Sequence, residues 1–278
     1  MSVKLFIIVL SFKVLELNGV IMKAAFIEKY GSATNLVVGE LETPKINEDQ
    51  LLIRVVASGV NPVDFHIRKG FMADTDTHNL PLVLGWDCAG VVEKVGTNVT
   101  HFVPGDKVMS FTPIGQQGTN AEYVAVNASL VIPKPENMSF IEAAGLPLAG
   151  VTALQALTHS ANVTKGSKVL IHNASGAVGS FAVQIAKALG ANVVATASSK
   201  KHEYVEFLGA DEVYSYNSEC WRKQQYFDVS LVAKGDEELI YASLHATKQG
   251  GNVVSTLNEI PTSDAQYHQV NFERMWVT

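Results

Sequence analysis

The sequence predicts an α/β protein in two parts, a mostly β domain followed by a doubly wound parallel sheet. Three observations lead to this prediction. Short β-type runs fill the chain from residue 22 to about residue 144. Strand-like and helix-like runs then alternate toward the C-terminus, a pattern typical of a parallel sheet covered on both faces. Between residues 168 and 197, a strand, a glycine turn, a helix and a second strand form a βαβ unit.

The composition is that of an ordinary soluble globular protein, and it excludes some classes of function. The 278 residues are enough to bury a large core and to form two domains. The formal net charge of −6 argues against nucleic acid and anionic membrane surfaces as partners. The two cysteines, Cys88 and Cys220, support no disulfide framework, so a reducing compartment such as the cytoplasm is expected.

Residues 1–21 are interpreted as an N-terminal extension. An apolar run follows Lys4, but Lys13 and Glu16 interrupt it soon afterwards. The run is too short to span a bilayer, and no small-x-small cleavage site follows it. We therefore expect a segment upstream of a natural start at Met22, with export as the open alternative.

The first domain, residues 22–145, is predicted to be a compact, mostly β domain with a partly closed barrel. Glycine, proline and asparagine separate short alternating or apolar runs. The predicted strands are Lys23–Ile27, Leu51–Ala57, Gly90–Val95, Lys107–Val108, Glu122–Val126 and Leu130–Ile132. Ser139 then precedes a helical run, with Glu142 at the spacing of a capping box. We expect Pro147 to interrupt this run and Val151–Leu157 to continue it.

The second domain, residues 146–278, is predicted to contain one parallel sheet. Its strands are expected near residues 168–172, 192–197, 212–216, 228–232, 252–256 and 268–272. Helical patterns lie between the early strands, whereas the last connection is predicted to be short or irregular and Gln269–Thr278 to be the last strand. That strand would form an unpaired sheet edge in a monomer, so a homodimer is expected.

The glycine turn of the βαβ unit has the chemistry of a dinucleotide site. Gly176 would let a phosphate approach the backbone, Gly179 would let the helix pack against the strand, and the helix N-terminus favours a pyrophosphate. The full pattern has an earlier glycine, where this chain has Ala174. The cofactor-binding residues predicted here are Ser175, Gly176, Ala177, Val178 and Gly179. The alternative is a glycine-rich turn that binds nothing.

Several separate motifs resemble those of the medium-chain dehydrogenase/reductase superfamily, in its zinc-independent quinone oxidoreductase-like branch. They follow the order and spacing of that family, and they are Ser58–Asp64, Gly85–Val92, Val103–Val108, Ala121–Val124, Leu148–Ala153 and Ala174–Gly179. The resemblance implies a GroES-like catalytic domain, a Rossmann domain and NAD(P)H in the cleft between them. Members of the family usually continue beyond the point where this chain ends, so the C-terminal return to the catalytic domain is interpreted as missing.

The resemblance also predicts that no metal is bound. Zinc-dependent members carry a cysteine and a histidine where this chain has Asn61 and Trp86, and Zn²⁺ needs three or four Cys, His or carboxylate ligands. Without a Lewis acid, the site suits an electron-poor acceptor such as a quinone or an α,β-unsaturated carbonyl, which accepts hydride directly. By resemblance, Asn61 lies near the nicotinamide and can donate to a carbonyl, and Thr152 contacts the nicotinamide. Asp64 is predicted either to orient this loop or to cap a turn after Pro62.

The cofactor is predicted to be NADPH. NAD-specific sites carry an acidic residue about twenty positions after the glycine motif, but here the second strand is followed by two serines and two lysines. Hydroxyl and ammonium groups bind a 2′-phosphate through charge-assisted hydrogen bonds, although a serine-capped, solvated helix start would have the same sequence. The resemblance implies that this serine-rich turn, a following basic residue and a tyrosine after the third strand line the phosphate, and Tyr216 is the matching tyrosine. The remaining cofactor-binding residues predicted are Ser198, Ser199, Lys201, Tyr216, Thr256 and Leu257.

The function predicted from these features is NADPH-dependent reduction of a small quinone or enone, without a metal. Two alternatives remain open. One is an enoyl-thioester reductase, which needs room for a pantetheine arm. The other is an NADP(H)-binding protein without turnover, acting as a redox sensor or scaffold. Departures from the family pattern at Ala174 and Ala233, together with the short C-terminus, leave the second alternative open.

Overall fold

The chain forms two compact units, Met1–Leu148 and Ala149–Thr278. The structure, a computed structural model, describes residues 21–75, 77–222, 225–256 and 259–277. Each unit has its own sheets and its own apolar core. The predicted extension lies outside the described residues, apart from Ile21, which begins a strand.

The first unit is mostly β, as predicted. In chain order, its described elements are β1 (Ile21–Ile27), β2 (Leu36–Glu42), β3 (Gln50–Gly59), α1 (Pro62–Arg68), β4 (Leu82–Val83), β5 (Asp87–Val95), β6 (Lys107–Phe111), β7 (Tyr123–Asn127), β8 (Val131–Pro133) and α2 (Phe140–Ala144). Strands β2, β1 and β4 form one antiparallel sheet, and β7, β3, β5, β6 and β8 form another. Leu51 and Ile53 of β3 are alternate residues buried in one core cluster, which explains why alternation predicted this strand.

Three of the described strands and α-helices of the first unit, β2, α1 and the two-residue β4, are absent from the sequence-based prediction. Strand β2 pairs with β1 along its whole length, but its side chains are mostly exposed and Gly39 interrupts its apolar run. It therefore lacks the buried pattern that reveals a strand. Helix α1 is only seven residues long and begins at Pro62, in a stretch interpreted as a turn. Proline is favoured at the first position of a helix because its fixed φ is already helical and its missing N–H is not needed there.

The predicted capping box at the start of α2 is confirmed. The Ser139 hydroxyl accepts from the backbone N–H of Glu142 at 3.2 Å, and the Glu142 carboxylate accepts from the backbone N–H of Ser139 at 2.8 Å. Pro147 does interrupt the helical run, because it begins a separate helix, α3 (Pro147–Gln155). A π-helical turn follows at Ala156–Ser160.

The second unit contains the predicted doubly wound sheet. Its described elements after α3 are β9 (Lys168–His172), α4 (Ala177–Ala188), β10 (Asn192–Ala197), α5 (His202–Phe207), β11 (Glu212–Ser215), β12 (Phe227–Val232), α6 (Glu237–Ala246), β13 (Thr247–Ser255), α7 (Thr262–His268) and β14 (Asn271–Arg274). The strand order is β11-β10-β9-β12-β13-β14, and the paired strands are parallel. The order reverses between β9 and β12, and ligands of such sheets bind outside the carboxyl ends of the strands at this switch point.

The C-terminal part of this sheet differs from the prediction. Helix α7 fills the connection that was expected to be short or irregular. The last described strand, β14, is Asn271–Arg274, so the predicted strand at 268–272, or through Gln269–Thr278, is wrong in its bounds. Gln269 adopts a left-handed conformation with a φ of 55° at the end of α7, which keeps the strand from starting there. Strand β13 begins earlier than predicted, at Thr247.

No helix within the described ranges is long and apolar enough to cross a bilayer. Both cysteines are free thiols. Cys88 is buried in the first unit, and Cys220 is exposed in the second.

Candidate functional site

The candidate acceptor site of the first unit is built at the N-terminus of α1. Asn61 immediately precedes this helix and is only 9% exposed. Its backbone N–H donates to Asp64 Oδ2 at 3.0 Å, so the Asp64 side chain caps the helix end. This contact corresponds to the capping alternative of the sequence analysis. Asp64 Oδ1 is buried and has no hydrogen-bond partner among the described residues.

A second buried carboxylate, Asp87 at the start of β5, was missed by the sequence analysis. Its Oδ2 accepts from Asn61 Nδ2 at 2.8 Å, and its Oδ1 accepts from the backbone N–H of Leu148 at 2.7 Å. Its backbone carbonyl accepts from the hydroxyls of Ser58 and Thr119. The Asn61 amide is therefore anchored through one of its two N–H groups. The available signal was an aspartate directly before the apolar run Cys88–Val92, at the buried end of β5.

Glycine at position 59 lets the Asn61 loop lie close to Asp87. A Cβ added at Gly59 would be 2.5 Å from the carbonyl oxygen of Ala144 and 2.8 Å from Cβ of Asp87. Neither of these atoms is the end of a flexible side chain. A larger residue would therefore push apart the strand end and the segments that carry the site.

Burial dominates the electrostatics of this site. It raises the pKa of Asp64 and the pKa of Asp87 from 3.8 to about 7, and the charge of Asp87 contributes to the rise at Asp64. Hydrogen bonds from Asn61 and Leu148 partly oppose the rise at Asp87. Burial also raises the pKa of the Cys88 thiol to about 12, so this thiol stays protonated near neutral pH. The site thus holds two carboxyl groups that change charge near neutrality.

The side chains at this site do not fit a zinc ion. Asn61 donates to Asp87, and Trp86 is fully buried with its indole N–H donating to the carbonyl oxygen of Gln116 at 3.4 Å. An indole N–H is a donor only, so Trp86 cannot be a zinc ligand. In the part of the chain that the structure describes, no three His, Cys, Asp or Glu side chains are grouped as metal ligands.

The candidate nucleotide site of the second unit begins at the glycine turn between β9 and α4. The predicted residues from Ser175 to Gly179, including Ala177 and Val178, occupy this turn and the first residues of α4. A Cβ added at Gly179 would lie 2.2 Å from the carbonyl oxygen of Asn173, so glycine allows the helix to pack directly on the turn. Gly176 is the N-cap and has no side chain that competes with a phosphate for the first N–H groups of the helix.

The turn accommodates Ala174 in place of the first glycine of the pattern. The left-handed residue is Asn173, with a φ of 54°, and asparagine tolerates this conformation. The Ala174 methyl group is fully buried in the core, and its N–H donates to the carbonyl oxygen of Thr196 at 3.0 Å. The missing glycine therefore imposes no strain at position 174.

Three of the residues predicted to bind a 2′-phosphate, Ser198, Ser199 and Tyr216, lie at the carboxyl ends of two neighbouring strands, β10 and β11. Ser199 Oγ is 3.0 Å from the hydroxyl of Ser215, the last residue of β11. Tyr216 follows β11, and its hydroxyl lies 3.5 Å from Asn173 Oδ1 in the glycine turn. The Ser198 hydroxyl makes no capping hydrogen bond to the short helical turn after it, which weakens the interpretation of Ser198 as a simple N-cap.

The other predicted residues occupy different positions in the second unit. Lys201 is exposed, with its Nζ 5.8 Å from the ring centroid of Tyr204. The Thr256 hydroxyl donates to the carbonyl oxygen of Ala233 at 3.0 Å, which ties the end of β13 to the end of β12. Thr152 is buried on α3. Leu257 lies outside the described residues.

Two family models match the chain, one in each unit. Residues 47–136 match the model described as "Alcohol dehydrogenase GroES-like domain". Residues 177–271 match the model described as "Zinc-binding dehydrogenase". The words "zinc-binding" in the second description belong to the name of the family. In this chain, the side chains around Asn61 do not suit a zinc ion.

Individual proteins resemble the chain over most of its length. It is 41% identical over 243 residues to 2-methylene-furan-3-one reductase of Solanum lycopersicum, covering 84% of this chain and 61% of the relative. It is 39% identical over 244 residues to NADPH-dependent alkenal/one oxidoreductase, chloroplastic, of Arabidopsis thaliana, covering 84% and 62%. The solved structure of the quinone oxidoreductase from Coxiella burnetii matches with a TM-score of 0.83 and 33% identity, over 93% of this chain and 83% of that one. The chain spans about three fifths of the length of the two curated relatives.

Proposed function

This chain belongs to the medium-chain dehydrogenase/reductase superfamily, in its quinone oxidoreductase-like branch, and on that premise we propose that it reduces quinones or α,β-unsaturated carbonyls with NADPH. The observation that carries the proposal is the Asn61 amide, which is anchored to Asp87 through one N–H and has a second N–H for a substrate carbonyl. The similar proteins are named as a furanone reductase, an alkenal/one oxidoreductase and a quinone oxidoreductase, which supports the same class of acceptor.

The proposed reaction places negative charge on the acceptor oxygen. NADPH, when bound, would supply a hydride for the electron-poor β-carbon of an enone. The Asn61 N–H would stabilise the negative charge that develops on the carbonyl oxygen. Water supplies the proton that completes the saturated product. Asn61 is buried, so its dipole acts in a medium where it is screened less than in solvent.

The second unit offers groups that fit NADPH. The glycine turn and the N-terminus of α4 would hold the pyrophosphate. Ser198, Ser199 and Lys201, with Tyr216 beside them, would hold the 2′-phosphate. Thr152 and the residues after β13, Thr256 and Leu257, remain proposed contacts of the nicotinamide half of the cofactor.

Three further properties belong to the same proposal. The reaction proceeds without zinc, because the donor set at Asn61 and Trp86 does not suit the metal. The protein forms a homodimer, in which β14, at one end of the sheet, pairs with its copy; a monomeric mass at micromolar concentration would contradict this. The protein acts in the cytoplasm, and its partner is a small-molecule acceptor, not nucleic acid or a membrane.

The test is NADPH oxidation by the purified protein with a quinone, an alkenal, a cyclic enone and an enoyl thioester. We expect turnover with the first three acceptors. Asn61→Ala should lower kcat roughly 100-fold, the typical loss for one oxyanion donor, with NADPH affinity retained. Asn98→Ala, at an exposed asparagine of the same unit, is the control. Turnover confined to the thioester would favour the enoyl-thioester alternative, and NADPH binding without any turnover would favour the sensor or scaffold.

A further inference from the structure

Resting on the proposed reductase function, we propose that Asp87 is a positioning residue that sets the orientation of the Asn61 amide, and that uptake of one proton by Asp87 reverses that orientation. Asp87 then acts on the acceptor only through Asn61. It is 1% exposed and is the first residue of β5.

The hydrogen bonds of Asp87 carry this inference. Each of its two carboxylate oxygens accepts one N–H, Oδ2 from the Asn61 side chain and Oδ1 from the backbone of Leu148. An ionised carboxylate is an acceptor only, so both contacts suit the charged form. Since a carboxylate cannot donate to the amide oxygen, ionised Asp87 requires the Asn61 NH₂ group to face it.

Protonation changes what Asp87 can bind. The proton cannot face the Leu148 N–H, because that group is a backbone donor held by the start of α3. It is therefore placed on Oδ2, the oxygen that accepts from Asn61. A protonated Oδ2 carries one O–H donor, and this donor finds an acceptor when the amide turns its oxygen toward Asp87. In that state the Asn61 NH₂ group has moved to the other side of the amide, away from the position that polarises the acceptor.

The surroundings of Asp87 place its proton uptake near neutral pH. Burial raises the pKa of Asp87 to about 7. Two titratable groups lie near it in the part of the chain that the structure describes. They are Asp64 on α1, whose own pKa is raised, and Cys88, which stays a neutral thiol. The other groups around Asp87 are uncharged: Ser58 and Gly59 of β3, Thr119, Phe111 opposite it on β6, and the Leu148 N–H. Among these described neighbours, Asp64 is the group whose charge can shift this equilibrium.

The test follows the Asn61 side-chain NH₂ resonances by nitrogen-15 NMR between pH 5 and pH 9, and kcat/KM over the same range. We expect the wild-type resonances to follow the two coupled carboxyl groups, Asp64 and Asp87, near neutrality, and kcat/KM to fall below that range. In Asp87→Asn only the transition of Asp64 should remain, kcat should be lower and KM less affected. In Asp64→Asn the transition of Asp87 should persist at a lower pH, because a neighbouring negative charge has been removed, and in the double variant Asp64→Asn/Asp87→Asn the resonances should be pH-independent. Glu93→Gln, on the same strand, should behave as wild type.

Each outcome is decisive. Asn61 resonances that do not titrate in Asp64→Asn, or that still titrate in the double variant Asp64→Asn/Asp87→Asn, overturn the proposal. If Asp87→Asn does not fold, the wild-type and Asp64→Asn titrations decide: a transition that Asp64→Asn does not shift, or abolishes, overturns it. The NMR titration needs no substrate. A protein that turns over no acceptor would contradict the proposed function, while the resonances would still test the coupling between Asp87 and Asn61.

Discussion

His172, the last residue of β9, donates from its Nε2 to the hydroxyl of Ser243 on α6, at 3.2 Å. The Ser243 hydroxyl donates its own proton to the carbonyl oxygen of Leu239 at 2.7 Å, so toward His172 it can only accept. His172 Nδ1 then accepts from the hydroxyl of Thr196 at 3.0 Å. Both ring nitrogens are satisfied in the neutral form, and burial lowers the pKa of His172 to about 3.

The first prediction is that His172 makes the fold sensitive to acid. Between its ordinary pKa of 6.5 and its folded pKa of about 3, the unfolded chain binds a proton that the folded chain does not. The free energy of unfolding therefore decreases as the pH is lowered through this window, by about 1.4 kcal/mol per pH unit from this group. His172→Gln should lack that part of the slope in urea unfolding, followed by the fluorescence of Trp221, whose ring lies 4.7 Å from His172. His159→Gln, at an exposed histidine, should keep it.

The second prediction has the opposite sign and concerns Asp64. Its folded pKa is about 7 and its ordinary value 3.8, so between these values the folded chain binds the extra proton. Stability contributed by Asp64 is present below about pH 4 and is lost as the pH rises to about 7. Asp64→Asn keeps an oxygen that can accept from the Asn61 N–H and should remove this loss. The variant should gain stability relative to wild type between pH 5 and pH 8; an unchanged pH profile would contradict the assignment.

The second unit could be predicted largely from local signals. Short contiguous segments are enough to recognise the strand β9, the turn around Gly176 and the periodic apolar face of α4. The order of these elements predicts the parallel sheet. The same holds for the capping box at Ser139. These elements depend on contacts between residues that are close in the chain, and such contacts can be predicted from the sequence alone.

The missed features depend on partners far apart in the chain. Strand β2 exists because β1 pairs with it, although its own side chains are mostly exposed. Asp87 and Asn61 are 26 positions apart in the chain. The hydrogen bond between the Asp87 carboxylate and the Asn61 amide is therefore visible only in the folded structure. The left-handed residue of the turn is Asn173, which allows alanine at position 174. The glycine pattern alone does not show that the left-handed residue of the turn is an asparagine and that the next position therefore needs no glycine.

The third prediction concerns the packing of the glycine turn. In Gly179→Ala the new methyl group would lie 2.2 Å from the carbonyl oxygen of Asn173 and 2.7 Å from Cα of Ala174, both backbone atoms. The turn must shift, so we expect a loss of roughly 1–3 kcal/mol in stability and weaker NADPH binding. Gly145→Ala is the control, because its nearest contact would be an ordinary 3.6 Å. Wild-type stability and affinity in Gly179→Ala would show that the turn does not need this close approach.

The fourth prediction is that the purified protein holds no stoichiometric zinc. The Trp86 indole offers no lone pair, and Asn61 is engaged by Asp87. Elemental analysis should find far less than one zinc per chain, and a chelator should leave thermal unfolding unchanged. About one tightly held zinc per chain would contradict the prediction.

The last prediction is a preference for NADPH over NADH that depends on the lysines after β10. Lys200 and Lys201 are exposed and follow Ser198, whose hydroxyl makes no capping bond, so these groups are available to a 2′-phosphate. A charged hydrogen bond contributes about 1.5–3 kcal/mol, and about 1.4 kcal/mol is tenfold in affinity. Replacing both lysines with alanine should therefore raise the Kd for NADPH about ten- to a hundredfold and leave that for NADH nearly unchanged, as measured by calorimetric titration. Lys187→Ala is the matched control, because this lysine lies in the last turn of α4 and pairs with Asp211 at 2.8 Å. Equal affinity of the unmodified protein for the two cofactors would exclude a phosphate-specific site at these residues.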